Sequence, residues 1–215
     1  MTRKGIKGIV FAGTLLAAAM FFGAAPIPAE AKAPKVESVE FETGKRIDVD
    51  FKGKVQYNKV TVKVKDTSGK SYKTVITEKD NDSITVKVPT IKTGKDYRIT
   101  VSGIRRKGTG AYGKVTAPLR IAGKNEVLVE DLEYDRSDKE VSFDFQGSVK
   151  WKNAKVKILD PAGKNVVIRI EEKDREGIEV KVKKLTAGKK YSYTITGVAR
   201  KGSSAYKKVT ETFHF

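Results

Sequence analysis

Few side chains in the chain can do covalent chemistry. Its 215 residues include one histidine, His214, next to the last position, and no cysteine. Serines and carboxylates therefore lack the base or metal partner that would activate them. The glycines after the basic run, Gly108 and Gly110, have no strand, P-loop and helix succession around them, so no phosphate cradle is indicated. The chain is expected to be non-catalytic and to need no cofactor. What remains is recognition chemistry, with cations and aromatic rings side by side. Lys54 and Tyr57 are followed by Arg105, Arg106, Lys107 and Tyr112, and the pattern returns as Trp151 and Lys152, then Arg200, Lys201 and Tyr206. A ring can lie against a sugar face while guanidinium and ammonium groups hold phosphate or carboxylate.

Two readings of these residues are open. In one they form a ligand-binding end. In the other Tyr57 and Trp151 are half-buried plugs of the core, and Glu78, Asp80, Glu172 and Asp174 pair with neighbouring cations at an exposed end, where such pairs stabilise by about 0 to 1 kcal/mol. Arg106, Lys107, Gly108 and Tyr112 recur identically in the second half of the chain, which keeps the first reading open beside the second. Calcium is a further candidate, since Glu78, Asp80 and Asp82, and again Glu172, Asp174 and Glu176, supply hard oxygen ligands. Lysines interrupt both sets and no glycine has EF-hand spacing, so the metal assignment is none.

The elements that must position these residues are duplicated. Ile47 to Ile121 and Val141 to Phe215 align without a gap at an offset of 94 residues, with 30 of 75 positions identical. One fold is repeated in tandem, with loop lengths kept. GKDYRITVSGIRRKGTGAYGKVT, from Gly94, matches GKKYSYTITGVARKGSSAYKKVT, from Gly188. Tyr97, Ile99 and Val101 alternate with polar residues as one face of a half-buried strand, and Tyr191, Tyr193 and Ile195 do the same.

In the first copy the alternation predicts strands over 36–41, 46–51, 59–65, 71–78, 84–88, 97–104 and 111–116. In the second it predicts 127–134, 140–145, 154–159, 165–171, 178–183, 191–198 and 205–215. Asp66 to Gly69 and Asp160 to Gly163 read as turns with Asp first and Gly fourth. Seven short strands per unit and no helical period predict an all-β chain of two tandem seven-stranded sandwiches. In that arrangement the loops after the second, fourth and sixth strands meet at one end and carry the basic and aromatic residues.

The pattern GK.Y.I.V.G followed by a glycine-containing loop and a final strand, over 91–116 and 185–210, resembles fibronectin type III and bacterial immunoglobulin-like domains, including tandem modules of secreted Gram-positive proteins. The resemblance implies that Tyr97 and Tyr191 are corner tyrosines whose hydroxyls bond backbone upstream, next to the turn glycines Gly94 and Gly188. It also implies an early core tryptophan that this chain lacks, with Val49 and Phe143 or Phe51 and Phe145 in its place.

Arg3, Lys4 and Lys7, an apolar run over 9–25 and the small residues Ala29 and Ala31 predict a signal peptide over 1–31, with an uncleaved anchor as the alternative. The repeats are then expected over 32–121 and 127–215, with a linker over 122–126. The whole chain carries 44 Lys and Arg against 26 Asp and Glu. Cleavage after Ala31 removes three basic residues and one acidic, leaving 41 against 25, a net charge of +16. A secreted or cell-wall-associated protein so charged attracts anionic partners. Cell-wall polymer or polysaccharide is expected, with an extracellular protein as the alternative, nucleic acid disfavoured and no stable membrane span. Lysine-rich strand faces that simply keep a β protein soluble remain the other reading of the charge.

Overall fold

A computed structural model describes residues 33–214. The expected signal peptide lies outside the described residues. Among the described residues every regular element is a strand, and no helix is long and apolar enough to cross a membrane. The described chain forms two compact units that meet in sequence between Ile121 and Ala122.

In the first unit β1 (Val36–Glu42), β2 (Arg46–Phe51), β6 (Ser83–Lys87) and β5 (Val75–Lys79) make one antiparallel sheet in the order β1-β2-β6-β5. A second sheet holds β4 (Ser71–Tyr72), β3 (Val55–Asp66), β7 (Lys95–Arg106) and β8 (Gly113–Ile121), in the order β4-β3-β7-β8. Alternate residues of both sheets close over one core, in which Ile47, Val49, Phe51, Val64, Ile84, Ile99 and Ile104 are buried. The second unit repeats the plan. One sheet is β12 (Val167–Lys173), β13 (Gly177–Val182), β10 (Glu140–Phe145) and β9 (Val129–Asp135), and the other is β11 (Val149–Leu159), β14 (Lys190–Arg200) and β15 (Lys207–His214).

Two expectations change in detail. The run 71–78 is two strands rather than one, so the first unit has eight. β4 pairs with β3 in one sheet, and after Lys73 and Thr74 the chain passes to the other sheet as β5, beside β6. The second unit replaces β4 with a single bridge between Leu159 and Asn165, leaving seven. The third strand of each unit also starts earlier than alternation suggests, at Val55 and Val149 rather than 59 and 154. The cause is a bulge. Register shifts between Tyr57 and Thr61, and between Trp151 and Lys155, push out residues 58–60 and 152–154 and break the period of two. Lys59 and Asn153 take positive φ at these bulges.

Turns and corners are held by named groups. The Asp66 backbone carbonyl accepts from Gly69 N at 2.9 Å, and its buried carboxylate accepts from Ser68 N, Ser68 Oγ, Lys70 N and the Tyr72 hydroxyl. Those donors, led by Ser68, lower its pKa to about 2. The Tyr97 hydroxyl donates to Lys92 O at 2.8 Å and accepts from Lys92 N at 3.0 Å; the Tyr191 hydroxyl accepts from Thr186 N at 2.9 Å. Gly94 and Gly188, both at φ 72°, turn the chain into these strands.

The first sheet of the second unit carries carboxylates on its outer face. Asp131 lies opposite Asp144, and Glu133 opposite Ser142, which lies opposite Glu179. Asp144 sits over the bare Gly177, where a Cβ would come within 2.8 Å of its Oδ1. Burial first, and then the Asp131 and Glu133 carboxylates, raise its pKa to about 6. A carboxyl raised in the folded state adds stability as pH falls from about 6 towards the unfolded value near 3.9. Asp144→Asn is therefore expected to stabilise the second unit at pH 7, by less than about 1 kcal/mol because the residue is solvent-screened. The gain should vanish by pH 4. Urea melts at both pH values check this, and a gain equal at both would contradict the assignment. Asp66 has the opposite sign: its lowered pKa stabilises above pH 4, and that support is lost as pH falls towards 2.

Candidate functional site

Backbone bonds bring the expected loops to one pole of each unit. In the first, Phe51 N donates to Asp82 O at 2.7 Å, Val55 N to Asn81 O at 2.6 Å, and Lys107 N to Lys54 O at 2.8 Å. Val55 also faces Arg106 in the register of β3 with β7. The second unit repeats the pattern, with Phe145 N donating to Glu176 O, Val149 N to Arg175 O and Lys201 N to Ser148 O. Thr109 N donates back to Arg106 O, and Ser203 N to Arg200 O, closing tight turns in which Gly108 and Gly202 take φ of 81° and 87°. A positive φ at the third turn position is what glycine supplies without steric cost.

The two large rings do not stand free at this pole. Tyr57 lies in β3, half-buried, and its hydroxyl donates to Ser83 O at 2.6 Å. Burial and the nearby Asp82 and Asp80 raise its pKa, so it stays protonated. Trp151 lies in β11, packs edge-on against Phe145 with centroids 5.6 Å apart, and donates Nε1–H to Asp174 O. Both rings plug the end of the core, a consequence of the bulge that lengthens the strand through them. Arg105, Arg106 and Arg200 likewise end strands rather than open loops.

The other candidate residues are more exposed. Lys54, Arg106, Lys107, Lys152 and Lys201 are exposed, and Tyr112 and Tyr206 keep 38% and 39% of their surface. Arg200 is half-buried over Gly147, and its Nη1 is buried with no hydrogen-bond partner. The acids at this pole are not gathered for a metal. Among the described residues no group of three His, Cys, Asp or Glu is placed to hold an ion. The Asp174 carboxylate accepts from Glu176 N and Gly177 N, which lowers its pKa.

One arrangement that sequence reasoning missed is kept in both units by different residues. The Arg105 guanidinium lies over the Tyr112 ring at 4.5 Å, held by Nε to Gln56 Oε1 and Nη1 to Gly110 O. In the second unit the equivalent of Arg105 is Ala199 and that of Gln56 is Lys150, and the Lys150 ammonium lies over the Tyr206 ring at 5.8 Å. The cation has moved to the neighbouring strand while its place over the tyrosine is retained. Only the pairing of β3 with β7 and of β11 with β14 reveals the exchange.

No family description matches the sequence, and no curated protein does. Among solved structures the chain is similar to the BSP domain of a biofilm-associated protein, with 13% identity over 83% of this chain and a TM-score of 0.33. It is similar to a pullulanase from an Anoxybacillus species, with 12% identity over 80% of this chain and a TM-score of 0.29. It is also similar to two fibronectin type III domains of chicken tenascin, with 14% identity over 85% of this chain and 99% of that one, and a TM-score of 0.29. The chain spans 29% of the first of these proteins and 24% of the second.

Proposed function

We propose that the chain is an exported, non-catalytic binding module that associates with the cell envelope or extracellular matrix by holding anionic polymer at the basic pole of each unit. The observation that carries this reading is the repeated zipping of an Arg-Lys-Gly turn onto the neighbouring loop, beside a tyrosine already overlaid by a cation. In the first unit Lys54, Arg106 and Lys107 come together there through backbone bonds, so the positive charge is preorganised rather than gathered by flexible side chains alone. Preorganised cations lose less freedom when they engage an anion. The net charge of +16 after cleavage adds long-range attraction.

The test is co-sedimentation of the mature protein with purified wall material over a salt series. Changing Arg106, Lys107, Arg200 and Lys201 to Glu is expected to abolish sedimentation at physiological salt. Retention that ignores both salt and these substitutions would remove the reading. Capture of an extracellular protein in place of polymer would instead make the chain a protein-interaction or spacer module.

A further inference from the structure

Sheet pairing gathers outward carboxylates on one sheet of each unit, beside Arg46 and Lys87 in the first and Arg169 and Lys181 in the second. On the outer face of the β1-β2-β6-β5 sheet, Glu40 lies opposite Asp48 and Ser38 opposite Asp50. The acidic side of the second unit, around Asp131 and Asp144, was described above. The other sheet of each unit is the reverse. Between the buried residues of β3, β7 and β8 its outer face presents the rows Lys63, Thr100, Thr116 and Thr61, Ser102, Lys114. The second unit presents Lys157, Thr194, Thr210 and Lys155, Thr196, Lys208 at the equivalent places. No carboxylate occurs in these four rows, although the chain has 26 acidic residues. Asp96, farther along the first face, is paired with Arg120 at 3.4 Å.

From this placement we infer that the outer face of the β3-β7-β8 sheet, and that of the β11-β14-β15 sheet, is a docking surface for a flexible linear polymer of phosphodiester groups. The inference rests on the polyanion reading of the pole and extends it by a surface and a ligand class. Three features set the class. The row cations are all lysines, compact point charges that hold phosphate without the fixed fork geometry of arginine. The hydroxyls of Thr100 and Thr116, and of Thr194 and Thr210, pair at 3.1 Å, so each pair keeps one hydrogen to donate to an outside oxygen. The rows contain no ring, and the tyrosine beyond the first carries Arg105 over its face, so the surface gives no stacking platform for bases or sugars. Lysines two residues apart on β11 stand roughly 6.7 Å apart, and those across β11 and β15 roughly 9.6 Å, a grid that a chain of regularly spaced charges can follow.

Binding of the full mature chain to poly(glycerol phosphate), followed by fluorescence anisotropy over a salt series, tests this with two variants whose folding is checked by circular dichroism. The face variant changes the row lysines Lys63, Lys114, Lys155, Lys157 and Lys208, together with Lys65, the next exposed lysine of β3, to Thr, a residue suited to exposed strands. It is expected to bind at least about 10-fold more weakly, with the slope of log affinity against log salt shallower by about 4. The pole variant changes Lys54, Arg106, Lys107 and Lys201 to Ser. A face variant that binds as the parent does, while the pole variant loses binding, overturns the face and leaves the pole reading intact. A parent that binds no polyanion removes both. Equal binding of polygalacturonate at matched charge overturns the phosphodiester assignment, and equal binding of duplex DNA overturns the preference for a flexible chain.

Discussion

Replacing Gly103 or Gly197 by alanine is expected to cost the unit that contains it about 3 kcal/mol or more of its stability. Both glycines oppose the bulge in the third strand, at φ of 77° and 75°. A Cβ at Gly103 would lie 2.3 Å from Asn58 O, and one at Gly197 2.1 Å from Lys152 O. These neighbours are backbone carbonyls inside a paired strand, so no side chain can swing away. The left-handed backbone costs an L-residue about 1 to 2 kcal/mol, and forcing the strands apart adds about 1 to 3 kcal/mol. A sum near 3 kcal/mol or more is a large part of the about 5 to 13 kcal/mol expected for a unit of this size. Gly69→Ala is the control, because φ there is also positive, at 82°, but nothing lies within 4 Å of the added atom. Its cost should stay near 1 to 2 kcal/mol. Urea midpoints of the three variants measure the difference, and a Gly103→Ala midpoint equal to that of Gly69→Ala would contradict the close approach.

The second large effect lies in the core of the second unit. Where the first unit has Val49, Ile99 and Leu119, the second has Phe143, Tyr193 and Phe213. The Phe143 and Tyr193 rings are 4.9 Å apart and tilted by 59°, and both are almost fully buried. Phe143→Ala is expected to cost about 3 to 5 kcal/mol, since the neighbouring rings are too large and stiff to fill the space. Val49→Ala, at the equivalent place, removes only two methyl groups, and about 2 kcal/mol is expected. Denaturant melts of the two variants should separate by more than about 1 kcal/mol. Equal losses would mean that the aromatic set is not packed as a group.

Much of this architecture is legible in the sequence because a period of two is a direct consequence of a strand with one buried face. Tyr97, Ile99 and Val101 are buried as their alternation requires, and the DTSG and DPAG turns close on Asp66 and Asp160. The bulges were not legible. Lys59 is no residue to suggest a left-handed backbone, and nothing within the expected strand 97–104 marks Gly103 as the partner that lets β3 bulge beside a continuous β7. The unseen bulge placed Tyr57 and Trp151 in loops instead of strands that end in the core. The charge sorting was equally hidden. Alternation shows that Lys63 and Lys157 face outward, but only the pairing of distant strands puts them beside Thr100 and Thr194 and sends Asp48 and Asp144 to the other sheet.

The affinity of residues 32–215 for poly(glycerol phosphate) between 50 and 200 mM salt bears most directly on the proposed polyanion recognition by these cations. Contacts from several lysines and arginines should make log affinity fall steeply and linearly with log salt, by about 0.7 per phosphate held. A flat dependence, or no binding at the lowest salt, would contradict it.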